Sequence, residues 1–518
     1  MIKRLLTSET CARGFFHSSV FSLVSKSVAF LTSIAIAFYF GADSSTDLYF
    51  YSFSVITMAS LFLTSINSTI LIPHAMRVRE NQSNSEATKF LNVFLYSLFL
   101  IALCISIVIL VKPFFFFSVV SNFEHEIIEN NIIIIRLCAA FLPLLAVNQF
   151  MSETLISYRI FTIPVFLAFV NNIFSLTSVL LFHNRFGILS IVLGSVFAHI
   201  LQFLTYVIII RKKFNWQLKF EFKNLNRKIF SDICLAQIGN ASSMLMAYFP
   251  LYLLSNFSVG IISSLNYGLK ISETVTTLLT VQLASITGIK LNELYARNNT
   301  GQVNDSFYRS AQIILFVLVP FAFFLSAYSK DIVILLFNRG AFDLNASITA
   351  SSFLRVFALS IPLTGLNAII ARLFMAAQKV NYSVFFQIFT SILMIVAIYF
   401  GVNLLGPAGY PIAYVGVYFI NILSVHFMIK KFIPEIDYKR VLLVLFKTVL
   451  FNIPPLLLIF LINEISHKWP LVNIVAGAIV YFSTLLVLNF FLKINHDINF
   501  YIAQKFIPLI KGLVSNSG

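Results

Sequence analysis

Apolar runs of about 20 residues or more recur along the whole chain, divided by short polar clusters. A helix needs roughly 20 predominantly apolar residues to cross a hydrocarbon core about 30 Å thick. That ruler predicts an all-α polytopic membrane protein with fourteen spans, at 15–42, 48–73, 91–118, 132–157, 161–182, 187–210, 231–256, 258–289, 309–328, 347–373, 381–402, 408–429, 442–463 and 470–492. The first, eighth and tenth are long enough to tilt or bend. Prolines 143, 164, 250, 320, 362, 407, 411, 454 and 455 lie within spans or at their edges. Each internal one removes a backbone hydrogen bond and favours a kink.

Composition agrees with the pattern. Of 518 residues, 59% are hydrophobic and 11% charged, against about 25% charged in soluble domains. The 58 Phe and 20 Tyr suit lipid-facing and interfacial positions. The first span is too long for a signal-peptide core and has no A-x-A site after it, so it is expected to be retained. Cys11, Cys104, Cys138 and Cys234 are far apart and lack CxxC or Cys/His spacing, which argues against disulfides and zinc. No GxxxxGK[ST] loop is present, and nothing in the sequence calls for a cofactor.

The net charge of +16 is spread over alternate loops, unlike the single basic stripe of a nucleic-acid binder. With the N-terminus inside, 26 of the 36 Lys and Arg fall in cytoplasmic segments, 5 outside and 5 within spans. The positive-inside rule then places both termini in the cytoplasm. A faint internal echo pairs 186–214 with 405–432, at an offset of 218–220 residues. Six spans separate the copies, so the repeats would be parallel. The expected organisation is an N-tail at 1–14, an N-lobe at 15–210 and a basic linker at 211–230. A C-lobe at 231–430, two further helices at 442–492 and a cytoplasmic tail at 493–518 follow. Within that tail, 495–513 has the spacing of an interfacial amphipathic helix.

Ionisable residues inside the spans are the candidate chemistry, since one at bilayer depth costs about 2.5–3.5 kcal/mol on insertion scales. Lys26 stands near the middle of the first span, and Lys270 and Glu273 near the middle of the eighth. The i, i+3 spacing of Lys270 and Glu273 allows mutual neutralisation. A lysine offers a point charge and three donors to a diphosphate. Arg136 and Arg355 lie near outer span ends, within snorkelling reach. Glu153, near an inner end, could cap or gate. Asp47 closes the short outer turn GADSSTD, where an exposed carboxylate is expected. His199 and His426 lie in spans, where packing or partnering is the ordinary role.

Four stretches carry a family likeness. LLFNRGAFDLNASITASSFL (335–354) is similar to the RGAF-acid motif of the MurJ/MviN lipid II flippases. FGADSSTDLYF (40–50) resembles that family's FGAG-x-x-TDAF turn. YRIFTIPVFLAFVNN (158–172) resembles its NRFSIPAF segment, and LNYGLKISE (265–273) its YYADRL segment. They fall in the family's order along nearly the whole chain, as a divergent member of the wider multidrug/oligosaccharidyl-lipid/polysaccharide (MOP) exporter superfamily. The resemblance implies a cationic cavity with Lys26 and Lys270 where the family has arginine, and a gating role for Asp47. Two further family arginines match Thr32 and, near enough, Ser60, while an acid of the second span matches Ser65.

The expected function is a flippase, not an enzyme, moving an undecaprenyl-diphosphate-linked saccharide (lipid II or a related glycan precursor) to the outer leaflet by alternating access. Lys26, Lys270 and Glu273 would bind it, with Asp47, Arg136, Glu153 and Arg355 as gating or accessory residues. The setting would be the bacterial cytoplasmic membrane, with membrane lipids and cell-envelope biosynthesis proteins as partners and no nucleic acid. A cation-coupled antiporter of the same superfamily is the alternative, yet it would favour deep carboxylates. A membrane glycosyltransferase would want acidic outer loops that this chain lacks.

Overall fold

The computed structural model describes residues 11–214, 216, 219, 227–297, 299–463 and 469–492. Among them every regular element is a helix. In chain order the longer helices are Cys11–Phe40, Ser44–Thr64, Asn84–Val111, Ile132–Ser157, Thr162–Phe186, Leu189–Phe214, Arg227–Leu254, Ile261–Ala296 and Thr300–Ala327. Leu344–Ala358, Ile361–Ala376, Val380–Leu405, Gly409–Phe432, Tyr438–Asn463 and Pro470–Leu492 follow. The predicted tail at 493–518, with its amphipathic 495–513 segment, and residues 1–10 lie outside the described residues.

Eleven described helices are long and apolar enough to cross a membrane, or twelve if Leu344–Ala358 and Ile361–Ala376, bent by 43°, form one span. The expected fourteen are not reached, for two reasons. The run Tyr382–Phe432 extends over 51 residues and joins two predicted spans through the 3-10 turn Gly406–Ala408. Arg227–Leu254 does form where 231–256 was predicted, but Asp232, Gln237, Asn240, Ser242 and Ser243 dilute its apolar character. Two ends also move. Pro113 starts a new short helix, so the predicted 91–118 span is the helix Asn84–Val111. Helix persists through the first residues of the basic linker, to Phe214, and resumes at Arg227.

Local chemistry explains the starts. Ser83 accepts the Glu86 N–H at 3.2 Å, the first half of an S-x-x-E capping box. Asn299 caps Thr300–Ala327 through the Gln302 N–H at 3.3 Å. Inside Ile132–Ser157, Pro143 has no N–H for the Ala139 carbonyl four residues earlier. The Ser106 hydroxyl of a neighbouring helix donates to that carbonyl instead, at 2.8 Å.

The chain forms two compact units. The first comprises Met1–Tyr267, Phe337–Ala346 and Phe385–Tyr410, and the second the remainder. In the first, Ser44–Thr64 and Asn84–Val111 pack on Ile132–Ser157, while Cys11–Phe40 and Leu189–Phe214 pack on Thr162–Phe186. His199, half-buried, packs edge-to-face on Phe141 and bonds the Ser195 carbonyl, the packing and partnering role expected of it. In the second, Thr300–Ala327 packs on Ile361–Ala376 and on Tyr438–Asn463, and Phe324, Tyr328 and Ile459 form a buried cluster with Tyr481 and Leu485 of Pro470–Leu492. Gly477 leaves room for the hydroxyl end of Tyr328, where a Cβ would collide. Large apolar side chains such as Phe385, Leu404 and Phe427 stay exposed, the outward face of a protein solvated by hydrocarbon.

Seven described residues have left-handed backbone, and six of them pair at one offset. Gly41 and Gly260 (φ +63° and +92°), Arg159 and Gln378 (+59° and +56°), and Gly187 and Gly406 (+54° and +63°) are each 219 residues apart. The helix ends before Arg159 and Gln378 use the same bonds. Ile160 N–H reaches the Leu155 carbonyl and Arg159 N–H that of Ile156; Lys379 and Gln378 repeat this to Phe374 and Met375. Both are Schellman caps. The offset equals that of the faint sequence echo, and Gly340 alone has no counterpart.

Candidate functional site

Three turns meet in the first unit, at one end of its helices. Cys11–Phe40 ends at Gly41, whose left-handed backbone lets the chain reverse into Asp43. Asp43 caps Ser44–Thr64, accepting the Thr46 N–H and hydroxyl, both at 2.8 Å. The RGAF turn docks here, its Ala341 N–H donating to the Phe38 carbonyl at 2.8 Å. A Cβ on Gly41 would strike the Ala341 carbonyl, and one on Gly340 would strike that of Phe38. The third turn carries Gly260, whose missing Cβ leaves room for the Ala42 carbonyl. The motif glycines therefore serve close approach as well as backbone sign.

Asp47 ties the third turn in. It is 3% exposed, which corrects the expectation of an exposed carboxylate. Its Oδ2 accepts the Gly260 N–H at 2.6 Å, and its Oδ1 accepts the Ser263 N–H at 2.7 Å and the Ser263 hydroxyl at 2.5 Å. Gly260 and Ser263 lie at the start of Ile261–Ala296, where backbone N–H groups lack intrahelical partners. Asp47 itself stands in the first turn of Ser44–Thr64. One buried carboxylate thus sits at the positive ends of two helix dipoles. Burying a charge is costly unless it is fully hydrogen-bonded, and here three donors meet it. Tyr267, fully buried, completes the junction through its hydroxyl to the Gly41 carbonyl at 3.1 Å. Phe50, Phe337 and Phe342 surround its ring at 5.0–5.4 Å.

The other sequence candidates are scattered over both units. Lys26 is half-buried in Cys11–Phe40 of the first unit. Lys270 is half-buried and Glu273 exposed on Ile261–Ala296, in the second. Close to Lys270, Gly268 brings its helix against the Ala350 carbonyl, closer than any Cβ allows. Arg136 is exposed near the start of Ile132–Ser157, and Arg355 is exposed in the last turn of Leu344–Ala358, where the dipole favours a cation. Glu153 is half-buried and accepts the Gln149 amide at 2.9 Å.

A neutral polar cluster escaped the sequence reading. Ser65, which matches a family acid, accepts the Asn240 amide at 2.7 Å. Asn240 also donates to Gln237 Oε1 at 3.1 Å, and Gln237 Nε2 donates to the Phe62 carbonyl at 3.1 Å. A π-helical turn, Asn67–Leu71, follows at once, and Asn67 is fully buried. Such turns are frequent at functional sites. The available signal is the polar content of 237–243 within an otherwise apolar run. Thr32, at another missing family charge, is 8% exposed and bonds the Val28 carbonyl of its own helix. Among the described residues no group of His, Cys, Asp or Glu could hold a metal ion.

Comparison with known proteins agrees with these landmarks. A curated relative in Borreliella burgdorferi, a probable lipid II flippase MurJ, is 23% identical over 452 residues, covering 86% of this chain and 88% of its own. One in Aquifex aeolicus with the same description is 25% identical, covering 77% and 80%. A solved lipid II flippase MurJ in an inward closed conformation superposes with a TM-score of 0.78 at 19% identity, covering 92% of this chain and 99% of that one. An inward-facing multidrug resistance MATE transporter of the MOP superfamily gives 0.65 at 15% identity, covering 80% and 96%. At these identities the two structures establish the fold alone. The family model for the lipid II flippase MurJ matches residues 36–480, most of the chain, and this chain belongs to that family.

Proposed function

We propose that this protein flips an undecaprenyl-diphosphate-linked saccharide, lipid II or a related cell-envelope precursor, from the inner to the outer leaflet of the bacterial cytoplasmic membrane. The observation that carries the reading is the family match over residues 36–480, in a chain whose GAD turn leads into a buried Asp47 held by Gly260 and Ser263 and whose RGAF turn docks on the Phe38 carbonyl. Lys26 and Lys270 hold the diphosphate as point charges, with Glu273 beside Lys270 on its helix. Both termini lie in the cytoplasm. Arg136, Glu153 and Arg355 act at the periphery.

Asp47 is the outer gate. Opening outward releases the start of Ile261–Ala296 from its carboxylate, and closure restores three charge-assisted hydrogen bonds. Two phosphate charges leaving an inside-negative cell gain about 4–5 kcal/mol at 100 mV, if they move uncompensated. The Ser65–Gln237–Asn240 cluster offers neutral donors and acceptors that suit sugar hydroxyls.

The test is translocation of lipid II in reconstituted vesicles by K26A and K270A. Both variants should insert normally and lose outward transport; full transport by both rejects the cationic grip. The MATE-like fold keeps a second reading in view, a cation-coupled antiporter. Transport of a cationic dye driven by a sodium or proton gradient, with lipid II unmoved, would replace the first reading with the second.

A further inference from the structure

We propose that the first unit carries a binding site for one acyl chain of an anionic phospholipid, with the lipid phosphate on Arg211. A cavity of about 790 Å³ opens between Asn84–Val111, Ile132–Ser157 and Leu189–Phe214. That volume lies within the about 300–1,000 Å³ of small-ligand sites, which are mostly apolar with a few placed polar groups. Its walls include Phe99, Leu103, Leu144, Val147 and Phe203, and Ala140 and Pro143 leave depth on one side. From Ala140 to Thr154 the lining runs about 21 Å along one helix, at 1.5 Å per residue. A leaflet's half of the hydrocarbon core is about 15 Å, so the groove accommodates an extended chain.

One end of the groove is chemically different. Arg211 and Trp216 close it, and Arg211 is exposed. Trp216 is 6% exposed, and its indole N–H donates to Asn92 Oδ1 at 2.6 Å. Asn92 in turn donates to the Lys219 carbonyl at 2.5 Å. Asn92 thereby ties Trp216 and the Lys219 backbone to Asn84–Val111. Lys212, next to Arg211 in sequence, and Lys219, whose carbonyl bonds Asn92, are both exposed. An apolar slot ending in a guanidinium, an indole and further cations complements an acyl chain that ends in a phosphate. Basic pockets between membrane helices hold anionic headgroups in this way.

The site is independent of what the protein transports. It is tested on the full chain, because Trp216 is one of only two tryptophans and the exposed Trp469 can be removed as W469F. In that background, phosphatidylglycerol with brominated acyl chains should quench Trp216 at about a fivefold lower mole fraction than the matching phosphatidylcholine. R211A should abolish the preference, and A140F should weaken quenching by both lipids. Equal quenching by the two headgroups in the wild-type background would overturn the site. Displacement of the brominated lipid by undecaprenyl diphosphate at lower mole fraction would assign the groove to the carrier tail instead and equally overturn the proposal. Loss of the headgroup preference in R211A with unchanged lipid II transport would uphold the site and leave the flippase reading untouched.

Discussion

Two helix starts in the first unit solve the same problem in opposite ways. Ser44–Thr64 begins with its own cap, Asp43, which takes the Thr46 N–H three residues on. Ile261–Ala296 has no acidic residue in its first turn, and its Ser263 N–H is taken by Asp47, 216 residues away. Gly41 and Gly260, just before these starts, are the repeat-related pair at offset 219. The repeats thus share a turn but not a cap. A local cap is satisfied whatever the neighbours do. A borrowed cap is satisfied only while the turns are docked, so its hydrogen bonds report, and bias, the docked state. This is the physical content of calling Asp47 a gate.

The largest effect on this contrast should come from the glycines that permit docking. G41A puts a side chain on a left-handed backbone and into the Ala341 carbonyl, a cost of about 3 kcal/mol or more. Thermal unfolding in micelles should drop sharply, and cysteine accessibility at residues 42 and 341 should rise. D47A comes next. It leaves the Gly260 and Ser263 donors with no acceptor, at about 1–3 kcal/mol each. Amide hydrogen exchange at 258–266 should quicken while exchange at 44–47 stays unchanged. D43A should do the reverse, at the about 1 kcal/mol of a lost N-cap. If D43A and D47A gave the same exchange pattern, the distinction between local and borrowed caps would fail. S263A should be mildest, removing one hydroxyl donor while the backbone N–H still holds the carboxylate. Its melting point should fall by less than half as much as that of D47A.

Two kinds of polar residue in the membrane-spanning helices differ in how readable they were. Lysines at 26 and 270 stand out because a cation within an apolar run has few bland explanations. Ser65, Gln237 and Asn240 do not, because each is unremarkable in its own helix. They become a unit only when a second-span turn and the helix Arg227–Leu254 approach within hydrogen-bonding distance. The count of fourteen spans is not confirmed for a related reason. Hydropathy measures each segment alone, whereas Arg227–Leu254 can keep its serines and amides because neighbours satisfy them. Asn240 and Gln237 do so through Ser65 and Phe62, and Gln387 donates to the Ser243 hydroxyl at 2.6 Å.

The order of apolar runs by itself determined that the chain is all helix and membrane-embedded, since a backbone in hydrocarbon must bond to itself. The spacing of RGAF, GAD and YGLK determined the family, and the faint repeat fixed an offset that the left-handed residues reproduce at 219. Only the tertiary structure decided that Asp47 is buried and shared. A carboxylate at the end of an outer turn has the same sequence whether water or a distant helix supplies its donors, and the donors here are backbone amides, which no sequence pattern marks. Only the fold, likewise, brought Arg211 and Trp216 to the mouth of an apolar groove, because that mouth is built from three helices whose shared face exists only once they pack.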